Sequence, residues 1–400
     1  MIFLRPGSWL IAGVLLFFTL RRWLFILAAL CSDRLLPDRP RLDRNAMQWP
    51  PVVVLVPARN EAETLPDLLA ALARLDYPPD RLAFFLLNDA STDGSEALMA
   101  AWAAAHPNRH LITMPHNVGK ARALNVGLAR AAGAEIIAVY DADERPQADA
   151  LCRLAAAFAD VRVGAVSGRR AVSNPLDSPA AAYATFEGLV HQLVTMRAKD
   201  RLNLSPAVLG ANCAYRRTAL KQVGAFRPGA LLEDSDLSLK LPQAGWQIRF
   251  VPEAVSYHAV PTTLTGYWKQ HTRWARGFND VARERGANIL WASALPLSLR
   301  LELAAFAAGY LDRLALVAAA GLILLKRWSQ FPLWVMAASL LTPLFQTVAA
   351  LKLASAPAAL WRRLLWLPFF FGIDIAMAAS GFWGAVWQKP QLWEERRIRQ

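Results

Sequence analysis

Cysteine is scarce in this chain. Cys31, Cys152 and Cys213 are the only three among 400 residues, and no paired spacing links them. An odd count without a framework argues against a disulfide scaffold and for free thiols in a reducing compartment. There is no Gly-x-Gly-x-x-Gly stretch and no Walker loop, which disfavours a dinucleotide oxidoreductase or a P-loop ATPase. Internal repeats and long low-complexity tracts are also missing. Of six histidines, His106 and His110 are spaced i, i+4. Pro107 and Asn108 between them argue against the helix a zinc pair needs, and both are expected in a loop.

Acidic residues are the minority charge, 31 against 44 basic ones, for a formal net charge of +13. A nucleic-acid binder could carry that excess, but no helix-turn-helix, zinc or aromatic RNA-binding pattern accompanies it, so no nucleic acid is expected as partner. The excess fits positive-inside membrane anchoring and the binding of anionic nucleotide and lipid. Arg21, Arg22, Arg34, Arg39, Arg41 and Arg44 follow the first apolar block; Arg273, Arg276, Arg283 and Arg285 precede the next.

The chain is 55% hydrophobic and 19% charged, too apolar for one soluble domain. The expected organisation is an N-terminal transmembrane helix with an interfacial segment (1–48), a soluble domain (49–290) and a C-terminal transmembrane region of about three helices (291–400). A bilayer crossing needs about 20 apolar residues. The first block is expected to end near Leu20, because extending it to Leu30 would bury Arg21 and Arg22 at about 2.5–3.5 kcal/mol each; Trp23 to Leu30 would then lie in the interface. Later spans are predicted near 303–325, 331–351 and 364–387. Positive loops between them disagree on orientation, since Lys326-Arg327 and the tail from Lys389 to Arg399 fall opposite Lys352, Arg362 and Arg363. Arg313 and Asp374 lie near the middle of predicted spans, and a pair between them, with Asp312 adjacent, is expected.

Between the apolar ends, strands and helices alternate. Apolar runs at 52–56, 82–87, 111–114 and 136–139 read as buried strands, and stretches at 63–75, 94–105 and 121–131 as helices. Such units imply a mostly parallel sheet whose ligand crevice lies beyond the C-terminal strand ends. Polar motifs fall at those ends. Pro57-Ala58-Arg59-Asn60-Glu61 follows the first strand, where an amide and a carboxylate can meet a nucleoside or open a helix. In Asn88-Asp89-Ala90-Ser91-Thr92-Asp93-Gly94-Ser95, Asp89 can accept from a base N–H, and Asp93 reads as a turn residue. Asn117-Val118-Gly119-Lys120 opens a helix and offers positive potential to a base or diphosphate. In Tyr140-Asp141-Ala142-Asp143, two acids one residue apart repel unless a cation intervenes, as at a metal–diphosphate site.

With Leu232-Glu233-Asp234-Ser235-Asp236 and Gln270-His271-Thr272-Arg273-Trp274, these motifs resemble the D, D, D, QxxRW pattern of glycosyltransferase family 2. The similar branch includes the membrane cellulose, chitin, hyaluronan and poly-N-acetylglucosamine synthases, and the resemblance runs from Pro57 to about Gly277. It implies an α/β GT-A fold, a nucleotide-sugar-binding, Rossmann-like mixed sheet flanked by transmembrane helices. It also implies a nucleotide-sugar donor, usually UDP-linked, a Mg²⁺ or Mn²⁺ cofactor and inversion at the anomeric carbon. Carried over by residue, Pro57, Asn60, Glu61, Asp89, Lys120 and Asp141 would bind the nucleotide-sugar. Asp143, with Asp141, would hold the metal. Asp234, after Glu233, would be the general base, and Gln270, Arg273 and Trp274 would lie over the acceptor end and diphosphate. His258 is expected to be structural, although some enzymes of this fold place a late histidine on the metal. Gly210-Ala211-Asn212-Cys213 resembles the family's acceptor-side loop, with Cys213 as packing.

The function expected from the resemblance is a multi-pass enzyme of a bacterial-type inner (plasma) membrane, its catalytic domain cytosolic, extending a polysaccharide. A single addition to a lipid acceptor is the alternative; lipid glycosyltransferases of the ceramide type share a related motif. A non-catalytic nucleotide-sugar sensor is disfavoured by the intact carboxylates. Four spans are few for a private polymer channel, so a homo-oligomer or secretion partner is expected to help.

Overall fold

The structure, a computed structural model, describes residues 4–31, 48–230, 232–293, 295–325 and 332–386. These divide into two compact units, one built from residues 48–173 and 205–259, the other from residues 4–31, 174–204 and 260–386.

The first unit is an eight-stranded mixed sheet. Its strands are β1 (Val52–Ala58), β2 (Leu82–Asn88), β3 (Arg109–Thr113), β4 (Ile136–Val139), β5 (Arg145–Pro146), β6 (Val163–Val172), β7 (Cys213–Arg216) and β8 (Gln247–His258), in the spatial order β3-β2-β1-β4-β7-β6-β8-β5. The first four are mutually parallel; β7 runs antiparallel to both β4 and β6. Parallel strands sit buried on both faces, and that is why they read as unbroken apolar runs: all four residues of β4 are buried, as are Val52 to Val56 of β1. Helices α2 (Leu65–Leu72), α3 (Ser95–Ala104), α4 (Lys120–Arg130), α5 (Ala150–Ala156), α8 (Arg217–Gln222) and α9 (Glu233–Gln243) complete this unit. Two apolar clusters fill it, one around Val54, Leu68, Leu86 and Tyr140, the other around Leu55, Leu124, Ile137 and Leu237. Gly127 lets α4 approach the sheet closely, since a methyl carbon there would stand 2.9 Å from Leu55 Cδ2. His110, expected in a loop, lies on β3, where its ring meets Phe85 edge to face.

The second unit is helical. It holds α1 (Leu4–Leu30), α6 (Pro179–Leu189), a π-helical turn (Val190–Met196), α7 (Arg197–Arg201), α10 (Leu264–Leu290), α11 (Leu297–Ala307), α12 (Leu311–Leu324), α13 (Leu333–Leu353), α14 (Ala358–Arg362) and α15 (Leu367–Val386). Among the described residues three helical stretches are long and apolar enough to cross a membrane, 7–30, 333–353 and 358–382, and a fourth if the bent pair α11–α12 is one span.

The bilayer crossing was expected to end near Leu20, and the helix that carries it is longer. Helix α1 runs on through Arg21 and Arg22 to Leu30. The two guanidinium groups are neutralised rather than excluded: Arg21 makes a two-pronged bond to Glu302 at 2.7 and 2.6 Å, and Arg22 pairs with Asp312. The single span expected at 303–325 is instead two helices bent by 67° about residues 308–310, beside Gly309. The expected mid-span pair is present. Arg313 donates from Nε to Asp374 Oδ2 at 3.0 Å and from a terminal nitrogen to Asp312 at 3.1 Å. The basic residues at 34–44, at 326–327 and in the tail from 389 lie outside the described residues.

Candidate active site

The ends of β1 and β2 are stitched together by their own polar residues. Asn60 and Ala90 both take positive φ, 54° each, so the two loops turn sharply beyond the strands. The Asn60 amide donates to Ser91 Oγ at 3.1 Å, and Thr92 N donates back to Asn60 Oδ1 at 2.8 Å. Glu61 N donates to Ser95 Oγ, while the Glu61 carboxylate accepts from Thr64 Oγ at 2.8 Å. Asp93 accepts from Ala62 N and Ser95 N, the turn role expected of it. Pro57 sits within β1 opposite Leu87. Asn60 and Glu61 therefore spend side-chain acceptors on local structure, whatever else they meet.

Asp89 is buried, and its two oxygens accept from Val118 N at 2.7 Å and Gly119 N at 2.9 Å. Charge-assisted bonds of this kind are each worth about 1.5–3 kcal/mol. They fix the residues immediately before α4, and at the first position of that helix stands Lys120. Asn125, one turn on, clamps α4 to the chain at Phe226 through a reciprocal pair of bonds.

Lys120 Nζ lies 2.8 Å from Asp141 Oδ1 and 3.1 Å from Glu233 Oε1, and donates to Gly210 O at 3.2 Å. One ammonium thus ties the end of β4, the start of α9 and the 205–212 loop. Burial works against the charged lysine, but Asp141 and Glu233 together outweigh it and hold the ammonium above the ordinary lysine range.

Asp234 follows Glu233 in the first turn of α9. Its Oδ1 accepts from Ser235 N at 2.7 Å. Burial, then the neighbouring Glu233 charge, pushes its carboxyl up to about 6, with Lys120 pulling the other way. Asp236, one residue further, is fully buried and pairs with Lys240 at 2.8 Å, which marks it as structural. Ser238 Oγ accepts from Val208 N and donates to Asp234 O, pinning the 205–212 loop to the same helix turn.

Asp143 is buried, and Glu144 beside it is completely so. The Glu144 carboxylate is met by Arg170 Nε at 2.6 Å, an ion pair running from the acidic turn to β6. Burial raises the Glu144 carboxyl even against that cation, and Arg170 is held above its usual range by Glu144, Asp143 and Asp141 in spite of its own desolvation. Neither Glu144 nor Arg170 is among the site residues expected from the sequence. The acid was legible as the third carboxylate of Asp141-Ala142-Asp143-Glu144, whereas Arg170, 26 residues on, had no local signal.

Sheet ends thus gather Asp89, Lys120, Asp141, Asp143, Glu233 and Asp234 in one unit. Gln270, Arg273 and Trp274 belong to the helical unit, on α10. Cys213 is fully buried, the packing role expected of it, and so is Phe250. Trp246 packs against the second apolar cluster and donates to Gln222 at 2.8 Å. Among the described residues no group of three His, Cys, Asp or Glu is arranged to hold a metal ion alone. Two carboxylates with phosphate oxygens from a substrate suffice for Mg²⁺, which keeps most of its other ligands as water.

A family model described as glycosyltransferase like family 2 matches residues 50–277. The probable glycosyltransferase YdaM of Bacillus subtilis (strain 168) is 33% identical over 242 residues, 60% of this chain and 57% of that protein. Poly-beta-1,6-N-acetyl-D-glucosamine synthase of Staphylococcus epidermidis is 28% identical over 232 residues, 57% of this chain and 54% of that protein. The chain spans less than two thirds of the length of these curated relatives. The solved structure of mannosyltransferase PcManGT from Pyrobaculum calidifontis, in complex with GDP-Man and Mn²⁺, shares the fold at a TM-score of 0.64 and 24% identity, covering 95% of this chain and 99% of that one. With more than half of its length matched by the family model, and a mixed α/β sheet of the GT-A kind, the chain belongs to glycosyltransferase family 2.

Proposed function

We propose that the protein is an inverting, metal-dependent membrane glycosyltransferase that moves a sugar from a nucleotide-sugar, a UDP-sugar in the first instance, to a growing polysaccharide. Its catalytic domain, about residues 49–290, works at the cytosolic face of an inner membrane. The observation that carries this reading is the meeting of Lys120, Asp141, Glu233 and Asp234 at the sheet's C-terminal edge.

Pro57, Asn60, Glu61 and Asp89 frame the nucleoside, Asp89 both directly and through the loop it anchors. Asp141 and Lys120 bind the nucleotide-sugar, and Asp143 with Asp141 holds Mg²⁺ or Mn²⁺. The bound ion supplies neutralisation of the diphosphate as it leaves. Asp234, with its raised pKa, takes the proton from the acceptor hydroxyl while Glu233 keeps Lys120 in place. That oxygen attacks the anomeric carbon from the side opposite the diphosphate, so the configuration inverts. Positioned proton transfer of this kind is typically worth about 10²–10⁴-fold. The family motif gives Gln270, Arg273 and Trp274 the acceptor end and the diphosphate, the indole offering an apolar face to a sugar ring.

A lipid acceptor receiving a single sugar is the second reading. The three or four candidate spans among the described residues favour it, being few for a private polymer channel. The polysaccharide reading calls for a homo-oligomer or secretion partner instead. Membranes carrying the full chain, incubated with Mg²⁺ or Mn²⁺ and a panel of labelled nucleotide-sugars, separate the two. A product ladder is expected; one lipid-soluble product establishes the second reading, and no transfer from any donor overturns both.

A further inference from the structure

Between the first and last letters of Gln270-His271-Thr272-Arg273-Trp274 lies a side chain to which the motif assigns nothing. His271 is 4% exposed. Its Nε2 stands 2.9 Å from Glu187 Oε2 on α6, and its Nδ1 stands 3.0 Å from the Tyr267 carbonyl one turn earlier on α10. A backbone carbonyl can only accept. The Glu187 oxygen already accepts from the Tyr267 hydroxyl at 2.8 Å, and as a carboxylate it too can only accept. With Glu187 ionised both ring nitrogens donate, and a ring that donates twice is an imidazolium. The ring stacks on Tyr267 at 3.9 Å between centroids and meets the edge of Trp274 at 4.7 Å.

We propose that His271 is a positioning residue, a buried imidazolium that locks α10 onto α6 and so fixes the orientation in which Gln270, Arg273 and Trp274 meet the acceptor. The inference rests on the acceptor-side role given to those three residues above.

Titratable groups surround the ring from every side. Glu187 and Tyr183 come from α6, Tyr267 from α10 itself, and Asp374 from α15, its carboxylate held by Arg313 of α12. Burial opposes the proton, but Glu187 and then Asp374 carry the ring above the ordinary histidine range. The sign follows. The working form is protonated, so acceptor use is complete at lower pH and falls as pH rises through that elevated value. Weakening the Glu187 charge brings the fall to lower pH.

The test uses membranes carrying the full chain, the donor that the screen above finds active, and the acceptor endogenous to those membranes. Sugar incorporation and nucleoside diphosphate release are followed together against pH. In the wild type, incorporation is expected to fall at high pH while diphosphate release continues by hydrolysis. Glu187→Gln should move that fall to lower pH by about one unit or more and lower the ratio of incorporation to release several-fold. Tyr267→Phe removes a donor that competes for the Glu187 oxygen, so it should move the fall upward; it carries the test if Glu187→Gln does not fold. A high-pH limb that stays in place in the folded variants overturns the inference, as does equal loss of incorporation and release. A wild type that transfers from no donor overturns the underlying functional reading, and this inference with it.

Discussion

Asp234 Oδ2 packs directly over the α-carbon of Gly210: a methyl carbon built on that glycine would stand 2.7 Å from the oxygen, and the glycine's φ is +71°. The contact ties the proposed base to the loop that also gives its carbonyl to Lys120. Alanine at 210 would be strained twice, by the backbone at about 1–2 kcal/mol and by displacement of the carboxylate. Gly210→Ala should cut transfer by about 10²-fold or more while the nucleotide still binds, since the displaced group acts on the acceptor. Turnover together with nucleotide affinity by calorimetry checks this; normal turnover would mean that Asp234 does not act from the position seen here.

The base itself has a pH signature. With its carboxyl pushed up to about 6, Asp234 is protonated and inactive at pH 5 and becomes competent as pH rises through about 6. A rising limb near 6 is expected in the transfer rate at saturating donor. Asp234→Asn should lose about 10²–10⁴-fold in rate and lose that limb from whatever activity remains. The same shift bears on stability with a fixed sign. The folded state holds this proton more tightly than the unfolded chain, whose carboxyl titrates near about 3.9. The contribution is therefore full below about 4 and is lost as pH rises through about 6. Asp234→Asn should accordingly fold at least as stably as the wild type at pH 8, measurable by thermal unfolding.

Lys120 acts on both acids at once. It pulls the Asp234 carboxyl down and pairs with Asp141 and Glu233. Lys120→Met takes the ammonium from between Asp141 and Glu233. The rising limb should then move above 6, and the donor KM should increase about tenfold or more through loss of a diphosphate contact. Stripping divalent ions with a chelator should abolish wild-type transfer, and Mg²⁺ or Mn²⁺ should restore it. A Lys120→Met enzyme with an unmoved pH limb would separate this lysine from the base.

How much of this was legible beforehand follows from which interactions are local in sequence. The parallel strands announced themselves because burial on both faces makes them uninterrupted apolar runs; β4 was read with its observed bounds. The acids at strand ends stood out for the same reason, each following such a run. Asp89 was legible as an acid but not as the anchor of Val118 and Gly119, because its partners lie about thirty residues away. Arg170 was hidden likewise, and Gly210, read as part of an acceptor-side loop, gave no sign that the fold sets Asp234 and Lys120 against it. The first span was expected to end near Leu20 because two arginines in hydrocarbon are costly; the carboxylates that pair with Arg21 and Arg22 come from residues 302 and 312, with no local signal. The segment 174–204 groups with the helical unit although it sits inside the stretch that looked globular. Its alanine-rich α6 carries no long apolar run to betray that placement.

One pairing did cross that distance. Arg313 and Asp374 were matched from sequence because an ionisable residue within an apolar helix needs a partner, and the structure sets Nε and Oδ2 3.0 Å apart. Asp312 shares the guanidinium, so Arg313 holds two carboxylates and Arg22 takes the other side of Asp312. Removing either member of the 313–374 pair leaves an uncompensated charge among helices, a loss of about 3–5 kcal/mol for a buried pair. Arg313→Ala and Asp374→Ala should each lower the level of folded protein in membranes sharply. Exchanging the two, Arg313→Asp with Asp374→Arg, should recover part of that level but not all, since Asp312 then faces a second acid. Protein recovered in mild detergent by size-exclusion chromatography reads the outcome. If the exchange is no better than either single loss, the contact between α12 and α15 is not what holds these helices together.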